Sequence, residues 1–181
     1  MTHAVLVFRD GASKDIRSLN KYAVAPVDSI DNGWLVSAEA HSATAGETEV
    51  WTAVKPATAT LAKMWMAYTP EINVTVDGTK QFRGINVDPL DFTNLALRPF
   101  GIFKPQVEDI IRLTADGFTT GSGAASAFGV AVNADYKLNW SATAISGLTF
   151  AYIGTDYISL PSGAINTQRV IAYTMRCVAV A

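Results

Sequence analysis

From Glu49 onward the chain returns repeatedly to a two-residue alternation, and that period constrains its fold more than any other feature. In residues 49–54 (EVWTAV), Val50, Thr52 and Val54 fall on one side and Trp51 and Ala53 on the other. Ile72, Val74 and Val76 alternate with Asn73 and Thr75, and Asp77-Gly78 follows at once. A strand places successive side chains on opposite faces, and Asp-Gly after such a run marks a tight hairpin turn. Tyr136, Leu138 and Trp140 alternate with Lys137, Asn139 and Ser141. Ile171, Tyr173, Met175 and Cys177 alternate with Ala172, Thr174, Arg176 and Val178, a long run mixed on both faces. Such a run suits a strand lying centrally in a sheet or at an interface.

Turn signals separate these runs at short intervals: Asp88-Pro89, Arg98-Pro99, the glycine-rich 117–129 segment and Leu160-Pro161-Ser162-Gly163. Short strands with frequent turns predict an all-β fold, an antiparallel β-sandwich or barrel-like domain with few or no helices. Two segments leave helix and strand open. Leu61, Met64 and Trp65 in 58–68 keep helical spacing, and 105–113 has a proline where a helix would start. Within the second, β-branched residues favour a strand over 109–114. The opening of the chain differs. Residues 15–22 mix charge with little periodicity, and Asp10-Gly11, Ala25-Pro26 and Asp31-Asn32-Gly33 punctuate it. We therefore expect an extended N-terminal arm with peripheral strands over residues 1–45, ordered only on assembly up to about Ser42. The sandwich or barrel domain is expected over 46–181.

Charged residues make up 17% of the 181 positions, so the surface is either neutral-polar or partly covered by a partner. The 14 Lys and Arg are scattered singly and the net charge is −2, which argues against direct nucleic-acid binding. No apolar run reaches bilayer length and no signal peptide opens the chain, so membrane insertion is not expected and synthesis in a cytoplasm is. On that view the sequons at Asn73 and Asn139 are chance matches. The single Cys177 excludes an internal disulfide and reads as a small core hydrophobe.

Catalytic constellations are weak. His3 falls in a terminus expected to be mobile and His41 in an Ala/Ser-rich stretch, and no G-x-S-x-G elbow accompanies them. Glu47 with Glu49, and Asp88 with Asp91, are carboxylate pairs of the kind a glycosidase uses, though exposed strand and turn carboxylates are commoner. The 117–129 loop lacks the Gly-Lys-Ser/Thr ending of a phosphate loop. Trp34, Trp51, Trp65 and Trp140 suit a carbohydrate-stacking platform or, more readily, core and interface. No catalytic, cofactor-binding or metal-binding residue is assigned, and no cofactor is expected.

The middle of the chain resembles a known group. The order runs through Asp31-Asn32-Gly33, Thr48–Val54, Lys55-Pro56-Ala57-Thr58-Ala59 and 65–72. It continues through Asp91-Phe92-Thr93-Asn94, Arg98 and Glu108-Asp109-Ile110-Ile111-Arg112-Leu113-Thr114. Over residues 30–118 this is similar to the head decoration, or cement, proteins of tailed bacteriophages, with Glu108 standing where the group has glycine. The resemblance implies a non-enzymatic virion protein on the capsid surface, made in the host cytoplasm and stabilising the shell by contacts with the major capsid protein. A homo-oligomer, with a trimer favoured, is expected. The rival expectation is a receptor- or glycan-binding module of a tail fibre or surface appendage. A small glycosidase using the carboxylate pairs comes third.

Overall fold

Among the residues that it describes, a computed structural model has thirteen strands. It describes residues 3–180 except 12, 14–15, 43–48, 59–62, 71–72, 78–79, 85–88, 120–126, 133 and 163–165. At 8–9, 73–77, 80–84, 91, 160–162 and 166–168 it describes the backbone alone. The strands are β1 Leu6–Asp10, β2 Asn20–Val24, β3 Leu35–Ser37, β4 Val50–Thr52, β5 Met64–Ala67, β6 Asn73–Asp77 and β7 Lys80–Gly84. They continue with β8 Pro99–Phe103, β9 Ile110–Thr114, β10 Phe128–Ala131, β11 Leu138–Ser141, β12 Leu148–Ser162 and β13 Asn166–Val180. Helical structure among the described residues is confined to short 3-10 turns such as Arg17–Leu19, Pro89–Asp91 and Ala115–Gly117. The all-β expectation holds.

A six-stranded antiparallel sheet runs β1-β9-β13-β12-β10-β11. A five-stranded sheet runs β3-β5-β8-β2-β4, antiparallel except for the parallel pair β2 and β4. The hairpin of β6 and β7 forms a two-stranded sheet of its own, with Asp77 opposite Lys80 and residues 78–79 between them outside the described residues. The five-stranded sheet curls until its edges meet. The end of β3 and the chain after it bond to β4 and the chain after that, through Ser37 N–H to Val54 O (2.9 Å), Thr52 N–H to Ala40 O (2.8 Å) and Ser42 N–H to Val50 O (2.7 Å).

Curling decides which residues fit inside. Alternate positions Ala23, Ala25, Val36, Ala38, Ala53, Trp65, Ala67, Phe100 and Ile102 form one buried cluster with Ile30. Five alanines leave room for one indole and one phenyl ring in so narrow an interior. The other faces of the same strands carry Leu35, Met64, Met66 and Phe103. Those pack with Leu6, Ile111, Leu113, Leu138, Leu148, Phe150, Met175 and Cys177 of the large sheet. This explains Met64–Ala67. Buried on both faces, the strand reads as a continuous apolar run, while Leu61 of the segment left open between helix and strand lies outside the described residues. The expected strand over 109–114 is β9, and β13 lies centrally between β9 and β12.

The opening segment corrects an expectation. Ala4, Val5 and Leu6 are buried, β1 pairs with β9, and β2 and β3 belong to the five-stranded sheet. His3 is anchored rather than mobile: its Nδ1 lies 2.8 Å from Asp31 Oδ1 and its N–H donates to Leu90 O. Residues 3–42, as far as described, are part of the folded body instead of an extended arm. Their strands are too short, and too often buried on both faces, to show a period. The Asp31-Asn32-Gly33 turn is tightly enclosed, since Gly33 has φ +87° and an added Cβ would lie 2.3 Å from Leu113 Cδ1.

Candidate functional site

A cleft of about 970 Å³ opens at one end of the curled sheet. Arg17, Lys21, Tyr22, His41, Glu49, Trp51, Tyr68, Thr69 and Ile102 are among the residues that line it. Strand β2 positions its central cation, with Lys21 opposite Ile102 on β8. Two residues before Ala23 on the same face, Lys21 crosses the mouth of the curled sheet. Its Nζ lies 3.6 Å from the centroid of the Trp51 ring and 5.0 Å from that of Trp65. Each contact is a cation–π attraction, worth ~0.5–2 kcal/mol according to solvent access. His41 covers Trp51 as well, with ring centroids 4.4 Å apart. Burial lowers the Lys21 pKa from its ordinary value, and the positive charge of Lys104 lowers it further.

The opposite wall is fixed by amides. Asn32 donates to Thr69 O (2.8 Å) and accepts from Thr69 N–H (3.0 Å), while Asn94 donates to Asn32 Oδ1 (3.2 Å). Thr69 Oγ1 then accepts from Gly101 N–H at 2.9 Å. Gly101 has to be glycine there, because a Cβ would stand 2.5 Å from Tyr68 O. Asn32 and Asn94, noticed in the sequence only as turn and motif residues, thus hold the Tyr68–Thr69 wall in place.

The four tryptophans do not form one platform. Trp65 is in the barrel interior and Trp51 at its mouth. Trp34 stacks on Tyr136 (5.5 Å), whose hydroxyl donates to Asp28 Oδ2 (2.7 Å), and burial followed by that bond raises the Tyr136 pKa. Trp140 stacks on Phe118 (4.4 Å) beside Tyr152 and Tyr173. Glu49 lines the cleft, whereas Glu47 and Asp88 lie outside the described residues, as does Asp91 beyond its backbone. Most of the 117–129 loop is outside them too. No group of three or more His, Cys, Asp or Glu is placed to hold a metal among the described residues. Nor is any helix among them long and apolar enough to cross a membrane.

A second surface lies on the long hairpin. Residues 157–162 and 166–171 pair only with each other, beyond the reach of β9 and β10. One face of this overhang, with Ile158 and Val170, packs on Val5, Val7 and Leu90. The other presents Tyr157 and Ile171, each about half exposed, with the Arg169 guanidinium 4.7 Å from the Tyr157 ring. Neither this hairpin face nor the Lys21 cleft was singled out from the sequence. The alternation of 171–177 was visible, but not which side the large sheet leaves uncovered. Among known proteins, no family model, no curated protein and no solved structure matches the chain.

Proposed function

We propose that this chain is a non-catalytic virion protein that binds the outside of a phage capsid and stabilises the shell by contact with the major capsid protein. The observation that carries the reading is the hairpin overhang, whose uncovered face offers Tyr157 and Ile171, paired across the β12–β13 ladder. Apolar and aromatic residues on a pre-ordered element bind with little loss of conformational entropy, and a tyrosine beside an arginine is a common interface anchor. Low overall charge suits burial against a large protein surface. The capsid as partner comes from the resemblance over residues 30–118. The test is to mix the purified chain with undecorated phage heads and sediment them. Saturable co-sedimentation at a fixed ratio per capsomer is expected, and protein remaining wholly in the supernatant would reject the reading.

A second reading, a receptor- or glycan-binding module, is favoured by the cleft. Its walls expose the rings of Tyr22 and Tyr68, and aromatic faces beside hydroxyl and carboxylate groups suit a sugar. Intrinsic fluorescence titration with oligosaccharides tests it, because Trp51 and Trp65 report on the cleft mouth.

A further inference from the structure

A second, smaller cavity of about 270 Å³ lies at the edge of the core shared by the two sheets. Phe118, Trp140 and Tyr173 line it with Asp116, Thr119 and Lys137. Its volume falls below the ~300–1,000 Å³ of sites for drug-sized ligands, so it suits one side chain or a small ion. The rings hold one another in place: Phe118 stacks on Trp140 (4.4 Å), and Tyr173 is perpendicular to both, at 5.5 and 5.1 Å. The acidic wall is fixed too. Asp116 belongs to the Ala115–Gly117 turn, which closes through Phe118 N–H to Ala115 O at 3.1 Å. That turn is pressed against β9, since a Cβ on Gly117 would stand 2.5 Å from Leu113 Cγ.

Charge narrows the occupant. Three of the four tryptophans carry a lysine of this chain over the ring: Lys137 over Trp34 (5.5 Å), and Lys21 over Trp51 (3.6 Å) and Trp65 (5.0 Å). Among the described residues Trp140 carries none, and Asp116 enters no ion pair or hydrogen bond. Aromatic rings beside an unpaired carboxylate attract a cation. Lys137 is the one lining cation that opposes this, and its ammonium is drawn to Trp34. Strand register sets the cavity beside the uncovered hairpin face. Tyr173 and Ile171 are two residues apart on β13, opposite Thr155 and Tyr157 of β12, so they share one side of the ladder ~7 Å apart. A partner lying on Tyr157 and Ile171 reaches the cavity with a single side chain.

We propose that this cavity receives the guanidinium of an arginine from the shell protein that the hairpin face contacts, set against the aromatic rings and donating to Asp116. Arginine fits better than lysine, because its planar fork lies against a ring and meets a carboxylate with two donors. The inference rests on the shell-binding reading, so the chemistry and the source of the cation are tested separately. For the chemistry, the full chain is titrated with N-acetylarginine amide and with its neutral isostere, N-acetylcitrulline amide. The reporter is the Trp140 indole N–H resonance, identified by its absence from the spectrum of Trp140→Phe. The arginine amide is expected to bind about tenfold tighter than the citrulline amide. Asp116→Asn should remove most of that preference, and Lys137→Gln, which takes a like charge from the rim, should increase it. Equal binding of the two amides, or no shift of the resonance with either, would overturn the cation site and leave shell binding standing. For the source, Asp116→Asn is sedimented with undecorated heads beside the parent. Head binding should fall about tenfold while near-UV circular dichroism stays unchanged. Equal sedimentation would overturn a partner's arginine as the occupant. A parent that stays in the supernatant would overturn the shell reading and this source together, whatever the amides show.

Discussion

Asp109 and Ser13, 96 positions apart in the chain, are joined inside the protein with neither exposed. The Asp109 carboxylate accepts from Ser13 Oγ, from Ser13 N–H at 3.3 Å and from Gln106 N–H at 2.7 Å. Removing it strands three donors, the two of Ser13 buried and that of Gln106 partly so, and a buried donor costs ~1–3 kcal/mol when unsatisfied, though not additively. Asp109→Ala should therefore lose about 3 kcal/mol of stability, and Asp109→Asn, which keeps one acceptor, roughly half that. The urea midpoint measures it, and a midpoint within error of the parent would show that solvent replaces the carboxylate.

Next to it, Glu108 has φ +76°, a left-handed conformation that costs a side-chain-bearing residue about 1 kcal/mol. Its ion pair with Arg176, at 3.7 Å and largely exposed, offsets little of the cost. Glu108→Gly is expected to raise stability by roughly 0.5 kcal/mol. A fall of that size in the denaturation midpoint would mean that the ion pair outweighs the backbone strain.

Cys177 is fully buried, and burial, followed by the charge of Asp109, pushes its thiol up to about 12. The unfolded thiol ionises near the ordinary value of 9.0, so above that pH the unfolded state binds fewer protons than the native one. This contribution is intact below pH 9 and is lost as pH rises towards 12. Alkylation by iodoacetamide at pH 8 should be slow in the folded protein and fast in urea. Comparable rates in both would contradict the burial.

What the sequence made legible follows from where its periods were clean. β13 and β6 alternate over several residues, so both were readable. Strands β3 and β5 were not, because Leu35, Met64 and Met66 face one core while Val36, Trp65 and Ala67 face another. A strand buried on both sides has no polar face to mark its period. The cleft was hidden for a different reason. Lys21, Trp51 and Tyr68 come from three separate strands or their ends, and only the curl of the sheet brings them together. Trp51 was noticed as an aromatic, but nothing local announces the lysine above it.

The packing of residues 3–42 makes its own prediction. Leu6 is buried in the core shared by both sheets, so Leu6→Asp should unfold the whole domain, costing more than about 3 kcal/mol. An extended arm would tolerate the change. Limited proteolysis of the isolated parent chain distinguishes the two: the β1–β3 region should be protected, and rapid loss of the first forty residues with the remainder intact would restore the arm.

The last prediction concerns the hairpin face that carries the proposed function. Tyr157 and Ile171 lie opposite each other in the β12–β13 register, both about half exposed, and neither belongs to a core cluster. Tyr157→Asp and Ile171→Asp should therefore alter stability by no more than ~0.5–1 kcal/mol, since each places a charge where water already reaches. If this face meets a capsid, the same charge would be buried against protein without a partner. The expected result is a loss of head binding of at least tenfold, with circular dichroism and thermal midpoint nearly unchanged. Ile158 supplies the contrast. It faces Val5 and Leu90 on the seated side, so Ile158→Asp should damage stability first and binding only as a consequence. Heads that sediment equal amounts of parent and Tyr157→Asp protein would move the contact elsewhere. The next surface to test would then be the exposed Val27, Leu95 and Leu97, where Leu97 N–H bonds to Ala25 O and its backbone is left-handed at φ +63°.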